Sequence, residues 1–377
     1  MKRNAKGGGS VRQREDGKWE ARCTINGKRR SFYGQKQSEV VKAMRSALSS
    51  ADNGTYAEPT KMTLQEWVDS WLEVYVKIST KQSTYLSYKN TLKRYVTPSL
   101  GKCKLAHINA TQIQKIYNDM LYTKKLSKKT VRNLHGVLHE LFAQAVELNY
   151  LAVSPINACK QPKPDKKQIS PLDDADIEAF LSAIEGHRYQ DIFTVTLFTG
   201  MRIGEACGLP WDAVDFRKGT ITIKQQLQRY DGSKEYIIDA PKHDKFRVLT
   251  APDFVMDILR NVAREQGLNH IQYNFIWKND KNLVFTNEDG SCINPKNLRA
   301  SFKRVANKIG RPDARFHDLR HTYAVTALQE GDDVKTVQQN LGHATAAFTL
   351  DIYGHVSEKM KQESANRMQR YYNKVKA

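Results

Sequence analysis

The chain has 377 residues, 40% of them hydrophobic, enough for two or three domains that each bury a core. Its 60 Lys and Arg against 40 Asp and Glu give a formal charge of +20, which points to a polyanionic partner. The absence of a long apolar run or amphipathic anchor argues against a membrane partner, and the basic opening MKRNAKGGGS, followed by no apolar core, does not read as a secretory signal. Five scattered cysteines with no CxxC pair fit neither a disulfide framework nor a thiolate zinc site, so a cytoplasmic protein with reduced thiols is expected.

The charge excess is +9 in residues 1–50, +7 in 51–165 and +4 in 166–377, so binding charge is concentrated towards the front. In Lys18 to Ile25 apolar and polar residues alternate with the period of a half-buried strand, and Asn26-Gly27 supplies a two-residue hairpin turn. Pairing Ile25 with Lys28 sets Ala21 opposite Phe32 on the buried face. Glu20, Arg22, Thr24, Arg29, Ser31 and Tyr33 then share the outer face. A helix from about Gln37 to Ser49 offers Val40, Val41, Met44 and Leu48 to cover the sheet. A basic sheet face of this size fits a DNA major groove, with Arg22 and Arg29 as the first choices for contact.

Residues 51–61 read as a linker. The pattern from Met62 to about Pro155 is helical: one helix carries Leu64, Trp67, Val68, Trp71, Leu72 and Tyr75, a second runs from about Ser83 to Val96 and stops before Pro98, and two more cover about Thr111–Tyr122 and Lys128–Leu148. Lys124, Lys125, Lys128, Lys129 and Arg132 crowd the junction of the last two, which suits phosphate contacts, although a solvated charge run reads almost as well locally. A second linker spans residues 160–170. Beyond it helices dominate, interrupted by a strand pair near Thr220–Leu227 and Glu235–Val248.

Four short patterns in this last segment carry chemistry. Thr199-Gly200-Met201-Arg202-Ile203-Gly204-Glu205 stands at a helix start. Ala240-Pro241-Lys242 follows a strand and precedes Arg247-Val248-Leu249. Arg315-Phe316-His317-Asp318-Leu319-Arg320-His321-Thr322 opens a helix. Leu341-Gly342-His343 is followed ten positions later by Tyr353-Gly354-His355-Val356. Singly, each has a structural explanation: Arg202 as an ion-pair partner of Glu205, His317 and Arg320 as neighbours on one helix face, His343 at a helix terminus, Tyr353 in a core.

Taken together, the patterns resemble the tyrosine recombinases, most closely the integrases of conjugative transposons and temperate phages. The resemblance covers the last segment strongly, the helical segment by pattern and the basic sheet more loosely. It implies a multidomain fold: a small three-stranded β-sheet plus helix that binds arm-type DNA sites (1–56), a four-helix core-binding domain (62–158), and a mainly α (α+β) catalytic domain with a C-terminal tail helix (168–377). The six functional positions carried over are Arg202, Lys242, His317, Arg320, His343 and Tyr353. The partners implied are double-stranded DNA at core and arm sites, a homotetramer on DNA and DNA-bending accessory proteins, with no membrane, no metal and no cofactor.

The chemistry agrees with that assignment. A phosphodiester resists attack because its oxygens are anionic and its leaving alkoxide is poor, so catalysis must neutralise charge and deliver a proton. Arg202 and Arg320 offer bidentate, permanently charged forks for the non-bridging oxygens. Tyr353 is the expected nucleophile, His317 its proton acceptor, Lys242 the acid for the leaving 5′ oxygen, and His343 a hydrogen-bond donor to the phosphate. Two rivals stand beside this reading. His317 and His321, spaced i, i+4, echo the HExxH zinc pattern with His343 as a third ligand, but Asp318 replaces the glutamate and Arg320 adds charge beside the ion. The other rival is a DNA-binding regulator that keeps the fold without catalysis.

Overall fold

The computed structural model describes residues 9–25, 27–52, 61–163, 170–229, 233, 235–240, 246–342 and 358–376. It divides into two units, residues 1–166 and 167–377.

In the first unit, β1 (Ser10–Gln13), β2 (Trp19–Ile25) and β3 (Lys28–Gly34) form an antiparallel sheet in that order. The register is the expected one, with Ala21 opposite Phe32 and Ile25 opposite Lys28. Ala21, Cys23 and Ile25 are buried against Val40 and Met44 of helix α1 (Gln37–Asp52), which runs one turn further than its pattern suggests. The outer face departs from expectation at Glu20. Although it alternates outward, its side chain is only 1% exposed, because Arg12 and Arg22 fold over it, each placing Nε 2.8 Å from a carboxylate oxygen. The Arg22 bond, with that of Arg12, outweighs burial and lowers the Glu20 pKa to about 2. Alternation predicts which way a side chain points, and it says nothing of the neighbours that close over it.

The helical part starts at Thr63, which caps α2 (Leu64–Trp71) reciprocally with Glu66. A π-helical turn, Leu72–Val76, continues it. Helix α3 (Gln82–Tyr95) ends before Pro98 as expected, yet Pro98 itself opens a separate short helix, Thr97–Leu100, where its missing N–H costs nothing. Helix α4 (Ala110–Asn118), capped by Asn109 and extended by a second π turn (Asp119–Thr123), and α5 (Lys128–Glu147) complete the four. Apolar residues at three- and four-residue spacing bury Leu64, Trp67, Leu92, Tyr117, Leu134, Leu138, Leu141 and Phe142 in one core. The Trp67 indole N–H donates to the Leu141 carbonyl at 3.1 Å, so even the polar edge of the largest core residue is satisfied.

In the second unit, α6 (Asp174–Ala183), α7 (Gln190–Thr199) and the short α8 (Ile203–Cys207) lead, among the described residues, into five strands. β4 (Val214–Asp215), β5 (Thr220–Ile223) and β8 (Arg247–Thr250) pair in the order β4-β5-β8, while β6 (Gln226–Gln228) and β7 (Ile237–Asp239) form a separate ribbon. The single strand pair expected here is thus two sheets. The break falls at Lys224-Gln225, where the Gln225 amide turns to donate to the Gly208 carbonyl at the end of α8, drawing the ribbon onto that helix. Helices α9 (Asp253–Tyr273), α10 (Pro295–Lys308), α11 (Phe316–Gln329), α12 (Val334–Leu341) and α13 (Glu358–Lys376) follow. Helix α7 has no exposed residue and buries Ile192, Phe193, Val195 and Leu197 in the core of the unit. Phe193 on α7 meets Phe180, Phe302 and Phe316 with ring centroids 6.0 Å apart in each case, which ties α6, α10 and α11 to it.

Candidate active site

Three motifs far apart in sequence meet at the ends of α7, α11 and α12. Helix α7 stops at Gly200, whose left-handed φ of +65° turns the chain back. A Cβ there would lie 2.6 Å from the Tyr323 ring and 2.7 Å from Leu341 Cδ2, so both conformation and space require glycine. The turn delivers Arg202 to the start of α8. Helix α12 ends the same way at Gly342, φ +62°, one residue before His343.

Arg320 joins these two turns. Its side chain is 2% exposed, and its guanidinium donates from Nη1 to the Gly200 carbonyl at 2.7 Å and from Nη2 to the Leu341 carbonyl at 2.5 Å. Phe316, buried in the aromatic cluster, anchors the first turn of α11 and so fixes where His317 and Arg320 stand. Asp318 accepts from the Arg315 backbone N–H and from Arg315 Nη2, both at 2.8 Å, which closes the helix start.

His317 packs edge to face on His321, ring centroids 4.8 Å apart. The surrounding protein, then the charges of His321, Arg320 and Arg202, lower its pKa to about 4, although part of the ring stays open to solvent. It is therefore neutral near pH 7 and able to accept a proton.

Arg202 is a quarter exposed and pairs through Nη1 with Glu205 at 2.7 Å. Glu205 is 1% exposed and also accepts from the Arg202 backbone N–H at 2.9 Å. Burial alone would raise its pKa, but the bond to Arg247 and the charges of Arg247 and Arg202 bring it down to about 2. The structural explanation of Arg202 as a Glu205 partner therefore holds as geometry. Arg247 was not among the residues singled out for function. Its signal was an arginine directly before the apolar pair Val248-Leu249, at the start of a strand where one buried charge needs a buried partner.

Of the six expected residues, Arg202, His317 and Arg320 come together. Lys242, His343 and Tyr353 lie outside the described residues. Among the described residues no group of three or more His, Cys, Asp or Glu is arranged to hold a metal ion, and no helix is long and apolar enough to cross a membrane. In the first unit Lys128, Lys129 and Arg132 are exposed at the start of α5, a helix whose first turn has no acidic residue. Cations there oppose the positive end of the helix dipole, so they do not stabilise the helix. Arg29 is exposed, whereas Arg22 is engaged by Glu20.

Two guanidinium groups and a neutral imidazole around one pair of turns are equipped to neutralise an anion and take up a proton, as a phosphoryl-transfer site must. Residues 171–360 match the phage integrase family, and residues 63–121 match the phage integrase N-terminal SAM-like domain. The chain is 31% identical over 355 residues to a tyrosine recombinase XerC-like protein of Caldanaerobacter subterraneus subsp. tengcongensis, covering 89% of this chain and 90% of that one. It is 22% identical over 430 residues to an integrase of Saccharopolyspora erythraea, covering 98% of both. Among solved structures, the Tn1549 transposon integrase in complex with transposon right end DNA gives a TM-score of 0.68 at 23% identity, over 82% of this chain and 100% of that one. A lambda integrase tetramer bound to a Holliday junction gives 0.59 at 16% identity, over 92% and 96%. The chain belongs to the phage integrase family; it is a tyrosine recombinase, an enzyme of site-specific DNA recombination.

Proposed function

We propose that this recombinase integrates and excises a mobile element, cutting each DNA strand through a covalent bond between Tyr353 and a backbone phosphate. The phenolic oxygen of Tyr353 attacks phosphorus and its proton passes to His317. The bond from phosphorus to the 5′ oxygen breaks, and Lys242 gives that oxygen a proton. Arg202 and Arg320 hold the non-bridging oxygens, and His343 donates to one of them. The 3′-phosphotyrosyl link keeps the energy of the broken bond, so a 5′ hydroxyl from another strand rejoins the DNA by the reverse step without ATP. No metal is called for, because the arginines supply the charge stabilisation.

The observation that supports this reading best is the grip of Arg320 on Gly200 and Leu341, which holds the turn before Arg202 and the end of α12 against the helix that carries His317. Lys128, Lys129 and Arg132 are proposed to contact core-site phosphates, and Arg22 and Arg29 to contact arm-site DNA. The domain limits 1–56, 62–158 and 168–377 belong to the same proposal. So does a homotetramer on paired sites, assisted by DNA-bending proteins and working in the cytoplasm. Met368, Tyr371 and Tyr372 of α13 are exposed, as a helix that docks on a neighbouring protomer requires.

The test is a nicked duplex carrying the ends of the element that encodes the protein, incubated with the purified chain in chelator. A denaturant-resistant protein–DNA adduct, lost in Tyr353→Phe, is expected. An adduct that persists in Tyr353→Phe, or cutting that depends on metal, overturns the assignment.

A further inference from the structure

We infer that Arg247 is a positioning residue for strand cleavage, holding Glu205 so that Arg202 remains available to the scissile phosphate. This rests on the function proposed above and extends it by one residue.

Arg247 opens β8, and its side chain is 7% exposed. Its Nη1 and Nη2 take both oxygens of Glu205, at 3.0 and 2.5 Å, in a fork-on-fork pair. Its Nε donates to the Asn340 carbonyl at 2.7 Å, in the last turn of α12. A Cβ on Gly342 would lie 3.1 Å from Arg247 Cδ, so the stem of the side chain lies against the turn that precedes His343. One residue on a strand thus ties the Arg202 turn to the α12 turn, independently of Arg320.

The charges explain why this matters. Glu205 is buried and ionised, and Arg202 is its other cationic partner in the trio. Without Arg247, the whole demand of that carboxylate would fall on Arg202, drawing its guanidinium inward and cancelling its charge. With Arg247 present, two arginines share one carboxylate, and a net positive charge remains on the more exposed of them. That is Arg202, at 25% exposure against 7% for Arg247.

The experiment measures single-turnover adduct formation at saturating DNA, with DNA affinity and melting temperature recorded in parallel. Two substrates are used, a normal scissile phosphate and a methylphosphonate that lacks the non-bridging negative charge. For Arg247→Gln, a loss of about 10²-fold on the phosphate is expected, as for a displaced catalytic group. DNA affinity should change little, and the defect should be much smaller on the methylphosphonate, which needs less cationic stabilisation. Arg247→Lys should recover part of the rate, and adding Glu205→Gln to Arg247→Gln should recover more. An Arg247→Gln protein that cleaves as the wild type does, or that is equally impaired on both substrates, overturns the inference, the second result showing a merely structural role. If the wild-type chain forms no adduct at all, the proposed function fails and this inference fails with it.

Discussion

Arg320 and Gly200 are 120 residues apart in sequence and are joined by a 2.7 Å hydrogen bond from Nη1 to the glycine carbonyl. The residue assigned to the phosphate is therefore also a structural clamp. Arg320→Lys keeps the charge but reaches at most one of the two buried carbonyls. It should lower stability by about 1–3 kcal/mol, the cost of one unsatisfied buried group. It should also slow adduct formation by about 10²–10³. Urea unfolding with parallel cleavage assays checks both. Wild-type stability would show that the carbonyls find other donors.

Tyr353→Phe removes a single oxygen. Gel-shift affinity for the core site should persist while the covalent adduct disappears. A parallel fall in affinity would show that the phenol binds DNA rather than attacking it.

The pH profile tests His317. The surrounding protein and the neighbouring cations hold its pKa near 4, below the ordinary 6.5, so the unfolded chain takes up this proton first as the solution is acidified. The group's stabilising contribution is full above 6.5 and is lost as pH falls towards 4. For catalysis the ring stays in its accepting form, so adduct formation at subsaturating DNA should show no acid limb between about pH 7 and 5.5. A limb centred on 6.5 would mean that the ring is not shifted.

On the small sheet, Glu20 already engages Arg12 and Arg22, whereas Arg29 is exposed. Arg29→Ala should therefore weaken arm-site binding more than Arg22→Ala, and should lower the salt dependence of binding by roughly one released counterion. Fluorescence titrations across salt concentrations give both slopes. A larger loss for Arg22→Ala would show that DNA displaces Glu20 from it.

Much of the molecule was legible in the sequence because its signals are local. Alternation about Ala21 and the pairing of Ile25 with Lys28 give the hairpin register, and the spacing of Leu64, Trp67 and Trp71 marks a buried helix face. Motif order sets Arg202, His317 and Arg320 in one reading, and the fold brings the segments that carry them together. What escaped depends on contacts between distant segments. Nothing near Glu20 announces that Arg12 will cover it, and the split of the strand pair follows from Gln225 reaching Gly208. The role of Arg247 becomes visible only when Glu205 and Asn340 are set beside it.

The two carbonyls that hold Arg320 stand at the C-terminal ends of α7 and α12, where helices carry partial negative charge. Two helices thus aim their negative poles at one guanidinium. The cost of dehydrating that cation is met when the chain folds, long before any DNA arrives. The site is preorganised in the electrostatic sense, and DNA binding need not assemble this charge. Whatever governs the moment of cutting must then act on some other step.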